Sequence, residues 1–406
     1  MNAYIAFFAF GFALSIATYA LTIPLSHMVL MLLNKPITST EMSWTFGLFA
    51  IPAFIVGMGC PIFSFFFKST RKLGVVCYSI FFCLVNTLFF WLIFILIYIV
   101  YMLCNLDIIV SFSNTFISGN LMPYSMRIIV VCILLILSLL FDIFGFYRGH
   151  SYDIKEMTFF TPKLTKNVDF VHISDVHIGS RSKSHSQKIV DLILPLKPNF
   201  VVITGDLTDS PQIDQDEFSP FEKLREHCQI YMCFGNHDNF SGQVKVQQWC
   251  EKCGIQILDD AIAFERELNC SIVGVSDYAK EKVCVEVMTE CSTHISEQSY
   301  NILLHHRPHG YHESCNIGKY DMFLSGHTHA GQFAPFSYLV YLFFRKPYGL
   351  YEIKNGDHVM QLYTNPGTGA WGPHFRTKGK NEITFIHLRP ELTESHKIDM
   401  PSFQNE

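Results

Sequence analysis

Five short segments carry side chains able to hold metal ions. They are Asp175-Val176-His177, Gly205-Asp206-Leu207-Thr208-Asp209, Gly235-Asn236-His237-Asp238, His305-His306-Arg307-Pro308 and Gly326-His327-Thr328-His329. Imidazole, carboxylate and amide donors mixed in this way suit Mn, Fe or Zn better than Mg or Ca. Any one segment alone says little, since an Asp-x-His pair is common and neighbouring histidines are often ordinary surface residues. Five together point to chemistry. Two divalent ions about 3.5–4 Å apart can clamp an in-line phosphoryl displacement. One carboxylate has to bridge them, and Asp206 is the natural choice.

The elements that must position these residues are legible around them. Val168–Ser174, Phe200–Thr204, Ile230–Phe234, Ser271–Val275, Asn301–Leu304 and Asp321–Leu324 are short runs rich in Val, Ile, Leu and Phe, and read as strands. Helical stretches lie between them, at Ser186–Leu196, Asp216–Cys228 and Gln243–Cys253. Strands alternating with helices indicate an α/β layered domain. Sites in such folds lie at the carboxyl ends of strands, which is where the metal-capable segments fall. Their glycines let the backbone turn tightly there.

In this order the segments resemble the signature of the calcineurin-like metallophosphoesterases: Asp-x-His, Gly-Asp-x-x-Asp, Gly-Asn-His-Asp/Glu, a later His, and Gly-His-x-His. The resemblance covers about Val168–Leu388, a little over half the chain. Gly326–Gln332 and Gly367–Pro373, followed by Arg376 and Glu382-Ile383-Thr384, are similar to the membrane-attached branch typified by the transmembrane protein with metallophosphoesterase domain and its bacterial relatives. The resemblance implies an α/β fold, a four-layer α-β-β-α metallophosphoesterase sandwich. It implies one metal held by Asp175, His177, Asp206 and His329, and another held by Asp206, Asn236, His306 and His327. His306 is taken over His305 because relatives place the ligand two residues before a proline, here Pro308. His237 would protonate the leaving oxygen or stabilise charge on the phosphoryl group, with Asp209 orienting it. A metal-bridging hydroxide would be the nucleophile. Ala330 stands where this branch often has glycine.

Composition divides the chain. It has 406 residues, half of them hydrophobic and only 16% charged, with a mean hydropathy of +0.25. That excludes a disordered or collagen-like chain. Residues 1–150 carry six basic residues (Lys35, Lys68, Arg71, Lys72, Arg127, Arg148) and three acidic ones (Glu41, Asp107, Asp142), leaving 24 basic and 32 acidic residues beyond. No polybasic surface suggests a nucleic-acid polymer as partner. Four apolar runs, Ala3–Leu33, Ser43–Phe67, Val75–Cys104 and Ile128–Phe146, are long enough to cross a bilayer. The expectation is therefore an all-α four-span transmembrane region over 1–150 and a metallophosphoesterase domain over 151–406. Lys68, Arg71 and Lys72 in one connection, and Arg148 and Lys155 after the last run, set that side and the catalytic domain in the cytoplasm. His27 and Asp142 fall inside runs, where ionisable groups are functional candidates or serve helix packing.

Thirteen scattered cysteines do not make a disulfide framework and fit a reducing compartment. Cys250 and Cys253 form a lone Cys-x-x-Cys, without the second pair that a zinc ribbon needs. Residues 333–351 form an unusually aromatic loop directly after His329, with Arg345 and Lys346 near its end. It either packs on its own domain or dips into the membrane interface, which favours aromatic and basic residues. Arg376 is a candidate phosphate contact, since a guanidinium grips phosphate through two donors. The reading is a membrane-anchored two-metal phosphoesterase acting on phosphodiester or pyrophosphate bonds of a phosphorylated small molecule, a lipid or a nucleotide-lipid, with the bilayer as partner. Two others compete. A scaffold or transporter with the metal domain as sensor is disfavoured by the sparse polar content of the runs. A membrane-tethered protein phosphatase is disfavoured because Ser210-Pro211 follows Asp209 where those enzymes have Arg-Gly.

Overall fold

The computed structural model describes residues 71–104, 124–278, 280–334 and 336–391, with 12, 15–20, 26, 30, 48 and 52–57. The chain divides into two compact units, residues 1–150 with 372–377, and residues 151–371 with 378–406.

In the first unit, α1 (Arg71–Cys104) and α2 (Tyr124–Gly149) correspond to the third and fourth apolar runs. Among the described residues, Ile128–Gly149 is the one helical stretch long and apolar enough to cross a membrane. The first two runs lie largely outside the described residues, and so does His27. Asp142 has a packing partner: its carboxylate accepts a 2.6 Å hydrogen bond from Asn86 Nδ2 on α1. One turn away, the Thr87 and Ser138 hydroxyls meet at 3.0 Å. A buried carboxylate in an apolar helix needs such a donor.

The second unit holds two six-stranded sheets. The first contains β1 (Tyr152–Thr161), β2 (Val168–Ile173), β3 (Phe200–Thr204), β4 (Gln229–Cys233), β5 (Ile255–Ile257) and β12 (Asn381–Pro390), in the order β1-β12-β2-β3-β4-β5. The second contains β6 (Ala261–Glu265), β7 (Cys270–Val275), β8 (Tyr300–His305), β9 (Met322–Ser325), β10 (Gly349–Asn355) and β11 (His358–Thr364), in the order β10-β11-β9-β8-β7-β6. β2 through β5 run parallel, as do β7, β8 and β9.

Strand alternation explains the layers. On β2, Val168 and Phe170 join a core between the two sheets, with Phe200, Ile272, Ile302, Leu324 and Tyr363. The intervening Val171 and Ile173 join another core, with α3 (Lys183–Ile193), α4 (Ser219–Arg225) and α6 (Gln243–Lys252). On the second sheet, Val273, Leu303 and Phe323 pack with residues of α7 (Glu281–Ser292) and α8 (Tyr311–Ile317). Side chains of period two, apolar on both faces, bury each sheet twice. The result is helix, sheet, sheet and helix, an α/β sandwich.

The strands expected from the sequence occur within a residue or two. Six others were not expected: β1, β5, β6, β10, β11 and β12. The aromatic stretch 333–351 is not one loop. Phe336–Phe343 forms a helix, and Gly349 opens β10. Its apolar residues crowd the middle of the segment, between Pro335 and Pro347, which leaves room for two helical turns.

Candidate metal centre

The metal-capable residues follow β2, β3, β4, β8 and β9 at their carboxyl ends. The backbone beyond these strands remains cross-linked. Asp175 N–H donates to Gly205 O (3.1 Å), His177 N–H to Asp206 O (3.1 Å) and Gly326 N–H to His306 O (2.8 Å). Asn236 opens the short helix α5 (Asn236–Ser241). Asp175, His177, Asp206, His327 and His329 all adopt positive φ, between 51° and 69°. L-residues rarely do so, Asp and His more readily than most, and such residues concentrate at functional sites.

Two clusters of donor atoms result. Asp175, His177 and His329 form one, and Asp206, His306 and His327 the other. In the first, Nε2 of His177 lies 3.0 Å from Nε2 of His329, which is 3.3 Å from Asp175 Oδ1. In the second, Nε2 of His306 lies 3.1 Å from His327 Nδ1 and 3.1 Å from Asp206 Oδ2. Ligands about 2.1 Å from one ion and at right angles stand about 3.0 Å apart, so these spacings fit a common ion in each cluster. Asp175 Oδ1, Asn236 Oδ1 and Nδ1 of both His177 and His237 are buried without a hydrogen-bond partner. Buried polar atoms rarely lack partners, and an absent ion is one explanation for such orphans. The residues thus fit a pair of divalent cations.

Charge in the metal-free site is organised in the same sense. Burial alone would lower His306, but the charge of Asp206, its hydrogen bond and then Asp175 push the imidazole up to about 10. Burial would raise Asp206, yet the charges of His306 and His237 hold it well below the usual carboxylate range. Asp175 is raised, first by burial, with His306 opposing and Asp206 adding. Burial, then the charge of His237 for His177 and of His306 for His327, holds both imidazoles well below their ordinary range. Those two rings keep free lone pairs, while a proton on His306 occupies the place a cation would take.

Outer contacts fix the ligands. Asp175 Oδ2 accepts from Ser174 Oγ (2.6 Å) and His327 N–H (3.0 Å). His306 Nδ1–H donates to Thr204 O at 2.7 Å, leaving Nε2 to face the site. A metal-binding histidine is commonly oriented in this way. Gly235 and Gly326 are glycines of necessity. A Cβ on Gly235 would lie 2.2 Å from Asp206 Oδ1, and one on Gly326 2.3 Å from Asp175 Oδ2.

Of the other residues singled out in the sequence, His237 has its ring 5.1 Å from that of His177, and its N–H donates to Asp206 Oδ1 at 2.8 Å. Asp209 lies 3.7 Å from His177 Nδ1 and accepts from Ser180 N–H (2.8 Å) and Ser180 Oγ. These contacts put its carboxylate beside the ligand His177. Arg376 is fully buried in segment 372–377 of the other unit, where its N–H donates to Gly145 O. It is not a surface arginine. Ala330 has φ 52°, which accounts for glycine being favoured there.

Sequence reasoning assigned no role to Asp238. Its buried carboxylate accepts from Thr208 N–H (2.9 Å), Thr208 Oγ1 (3.0 Å) and Gly235 N–H (2.9 Å). It therefore ties the Asp206 loop to the Asn236 loop. An acidic residue three positions after a helix-capping glycine is the available signal, since it can reach back to the cap.

The chain was compared with known proteins. The model of the family described as calcineurin-like phosphoesterase matches residues 168–331. An uncharacterized metallophosphoesterase of Helicobacter pylori is 29% identical over 252 residues, 61% of this chain and 67% of that protein. The transmembrane protein with metallophosphoesterase domain of Danio rerio is 32% identical over 248 residues, 56% of this chain and 54% of that protein. The match spans about half to two thirds of the length of these curated relatives.

Proposed function

We propose that this chain, which belongs to the calcineurin-like phosphoesterases over residues 168–331, is a membrane-anchored hydrolase of phosphoric esters. The observation that carries the reading is the pair of donor clusters with spacings of 3.0 to 3.3 Å at the carboxyl ends of parallel strands. Asp175, His177 and His329 would hold one divalent ion, with Asn236, His306 and His327 at the other and Asp206 shared. Ions of the Mn, Fe or Zn class, when bound, neutralise phosphoryl oxygens and lower the pKa of coordinated water. The charges of His306 and His237 favour the ionised form of Asp206, and burial favours the neutral, lone-pair-bearing forms of His177 and His327. His237, whose backbone N–H donates to the Asp206 carboxylate, is the group whose imidazole is proposed to donate a proton to the leaving oxygen. Asp209 is proposed to orient His237; its carboxylate lies 3.7 Å from Nδ1 of the neighbouring His177.

The anchor is proposed as four spans over residues 1–150, with the domain 151–406 in the cytoplasm. Support comes from the apolar helix Ile128–Gly149 and from the basic residues flanking the runs. The favoured substrates are phosphodiester or pyrophosphate bonds in a lipid or nucleotide-lipid. The helix Phe336–Phe343, α9, supports a site near the bilayer: Tyr338, Leu342 and Phe343 are each more than 70% exposed, and it begins seven residues after His329.

Hydrolysis of bis(p-nitrophenyl) phosphate by detergent-purified protein tests the reading. Activity should depend on Mn, Zn or Fe and be abolished by Asp206→Asn and by His237→Ala. Folded protein that binds two metals yet hydrolyses neither this ester nor a panel of lipid phosphodiesters would overturn it.

A further inference from the structure

A third group of donors lies apart from the two clusters described. Cys284, His305 and His309 bring their ligand atoms within 4.8 Å of one another. Cys284 sits in the first turns of α7 and is fully buried. His305 ends β8 and is also fully buried. His309 follows in the next turn, held against α7 because Gly310 N–H donates to Glu281 Oε1 at 2.7 Å. Consecutive residues thus serve different clusters: His306 belongs to the centre above, while His305 belongs to this one.

The chemistry of the three side chains points to a ligand. His305 Nδ1–H donates to Val275 O at 3.2 Å, which places its proton on Nδ1 and its lone pair on Nε2. That Nε2 is buried and has no hydrogen-bond partner, and neither has the buried Nδ1 of His309. Cys284 offers only long contacts to carbonyl oxygens, 3.7 Å to Lys280 and 3.9 Å to Tyr278. Two imidazole nitrogens without partners beside a buried thiol form a borderline-soft donor set. One thiolate with two imidazoles suits Zn rather than Mg or Ca. Donors in a tetrahedral zinc shell stand about 3.3–3.6 Å apart, a contraction that small side-chain rotations supply.

We propose that Cys284, His305 and His309 form a separate zinc-class site with a fourth coordination position left for water or another donor. Binding releases the thiol proton to solvent. An ion there braces the end of β8 and so the seat of His306. The site rests on its own residues and stands or falls independently of the phosphoesterase reading.

Cobalt substitution separates the two, because only a thiolate ligand gives an intense near-ultraviolet sulfur-to-cobalt charge-transfer band. Full-length protein loaded with Co(II) should show the band. Asp206→Asn should keep it, Cys284→Ser should lose it, and His309→Gln, at a partly exposed position, should weaken it severalfold in metal titrations. The Cys250→Ser/Cys253→Ser variant should retain it. Absence of the band from folded wild-type protein at saturating Co(II) overturns the proposal. So does a band that survives Cys284→Ser, or one that vanishes with Cys250 and Cys253. If Cys284→Ser does not fold, an unchanged cobalt affinity in His309→Gln has the same force.

Discussion

Left-handed backbone at Asp175, His177, Asp206, His327 and His329 costs roughly 1–2 kcal/mol per residue. Five such residues persist only where the surroundings over-determine them, and here the cross-linked loops and tight glycines do so. Gly235→Ala should therefore displace the Asp206 loop, backbone as well as carboxylate. Its methyl group would meet the carboxylate at 2.2 Å and the Asp206 nitrogen at 2.5 Å. Metal affinity and hydrolysis should fall about 100-fold, with some loss of stability in urea unfolding. The proton on His306 gives a second expectation. Its pKa of about 10 in the metal-free site means that a proton must leave before an ion enters. Apparent affinity for that ion should rise about tenfold per pH unit between pH 7 and 9 and level off above about 10. Calorimetry in two buffers of different ionisation enthalpy should find about one proton released on metal binding, and none in His306→Ala. The donors that the structure gathers into two clusters were legible because their types and order suit metal binding. The role of Asp238 was not, since its mark in the sequence is that of a capping acid after Gly235 and says nothing of the Asp206 loop it also holds.

At the scale of elements, the strands that were legible are those buried on both faces, whose runs of Val, Ile, Leu and Phe stand out. Most of those that were missed are of other kinds; β12 is buried on both faces along most of its length, but Asn381, Glu382, Thr384 and His387 interrupt its apolar residues. β1 mixes Asp153, Lys155 and Glu156 with apolar residues. It pairs in parallel with β12, Tyr152 against Asn381, across more than two hundred residues. Such a partner leaves no local trace. β10 and β11 lie at the edge of the second sheet and carry polar residues on their exposed face. The inter-sheet core is the element-level test of stability. Phe170 is fully buried and stacks on Phe200 with centroids 4.9 Å apart. Phe170→Ala should cost about 3–5 kcal/mol in urea unfolding. Helix α9 makes the opposite prediction, for function without stability. Leu342 and Phe343 are 78% and 81% exposed, so Leu342→Ser with Phe343→Ser removes little from the fold. Hydrolysis of a vesicle-borne phosphodiester lipid should fall about tenfold or more, because each apolar side chain buried in lipid contributes about 1.5–3 kcal/mol. Turnover of soluble bis(p-nitrophenyl) phosphate should not change. Equal rates on the lipid for both proteins would mean that α9 does not enter the bilayer.

For the whole molecule, the proposal to test is a membrane-anchored chain whose domain works on the cytoplasmic side. The cysteines from Cys228 to Cys315 are free thiols. The basic residues around the apolar runs are the ground for proposing the cytoplasmic side. Two Asn-x-Ser sequences in the domain, at Asn239 and Asn269, make that assignment testable, and the structure separates their value. Asn269 is spoken for: its Nδ2 donates to Lys163 O and Gln298 O, both at 2.9 Å. A missing glycan there would have a local explanation. Asn239 is exposed on α5, so it reports on the compartment itself. Translation of the full chain with microsomes should leave Asn239 unmodified, with no mobility shift on endoglycosidase treatment and none between wild type and Asn239→Gln. A glycan on Asn239 would put the domain on the lumenal side. It would also require the eight thiols to survive an oxidising compartment and would reverse the direction from which α9 meets the lipid.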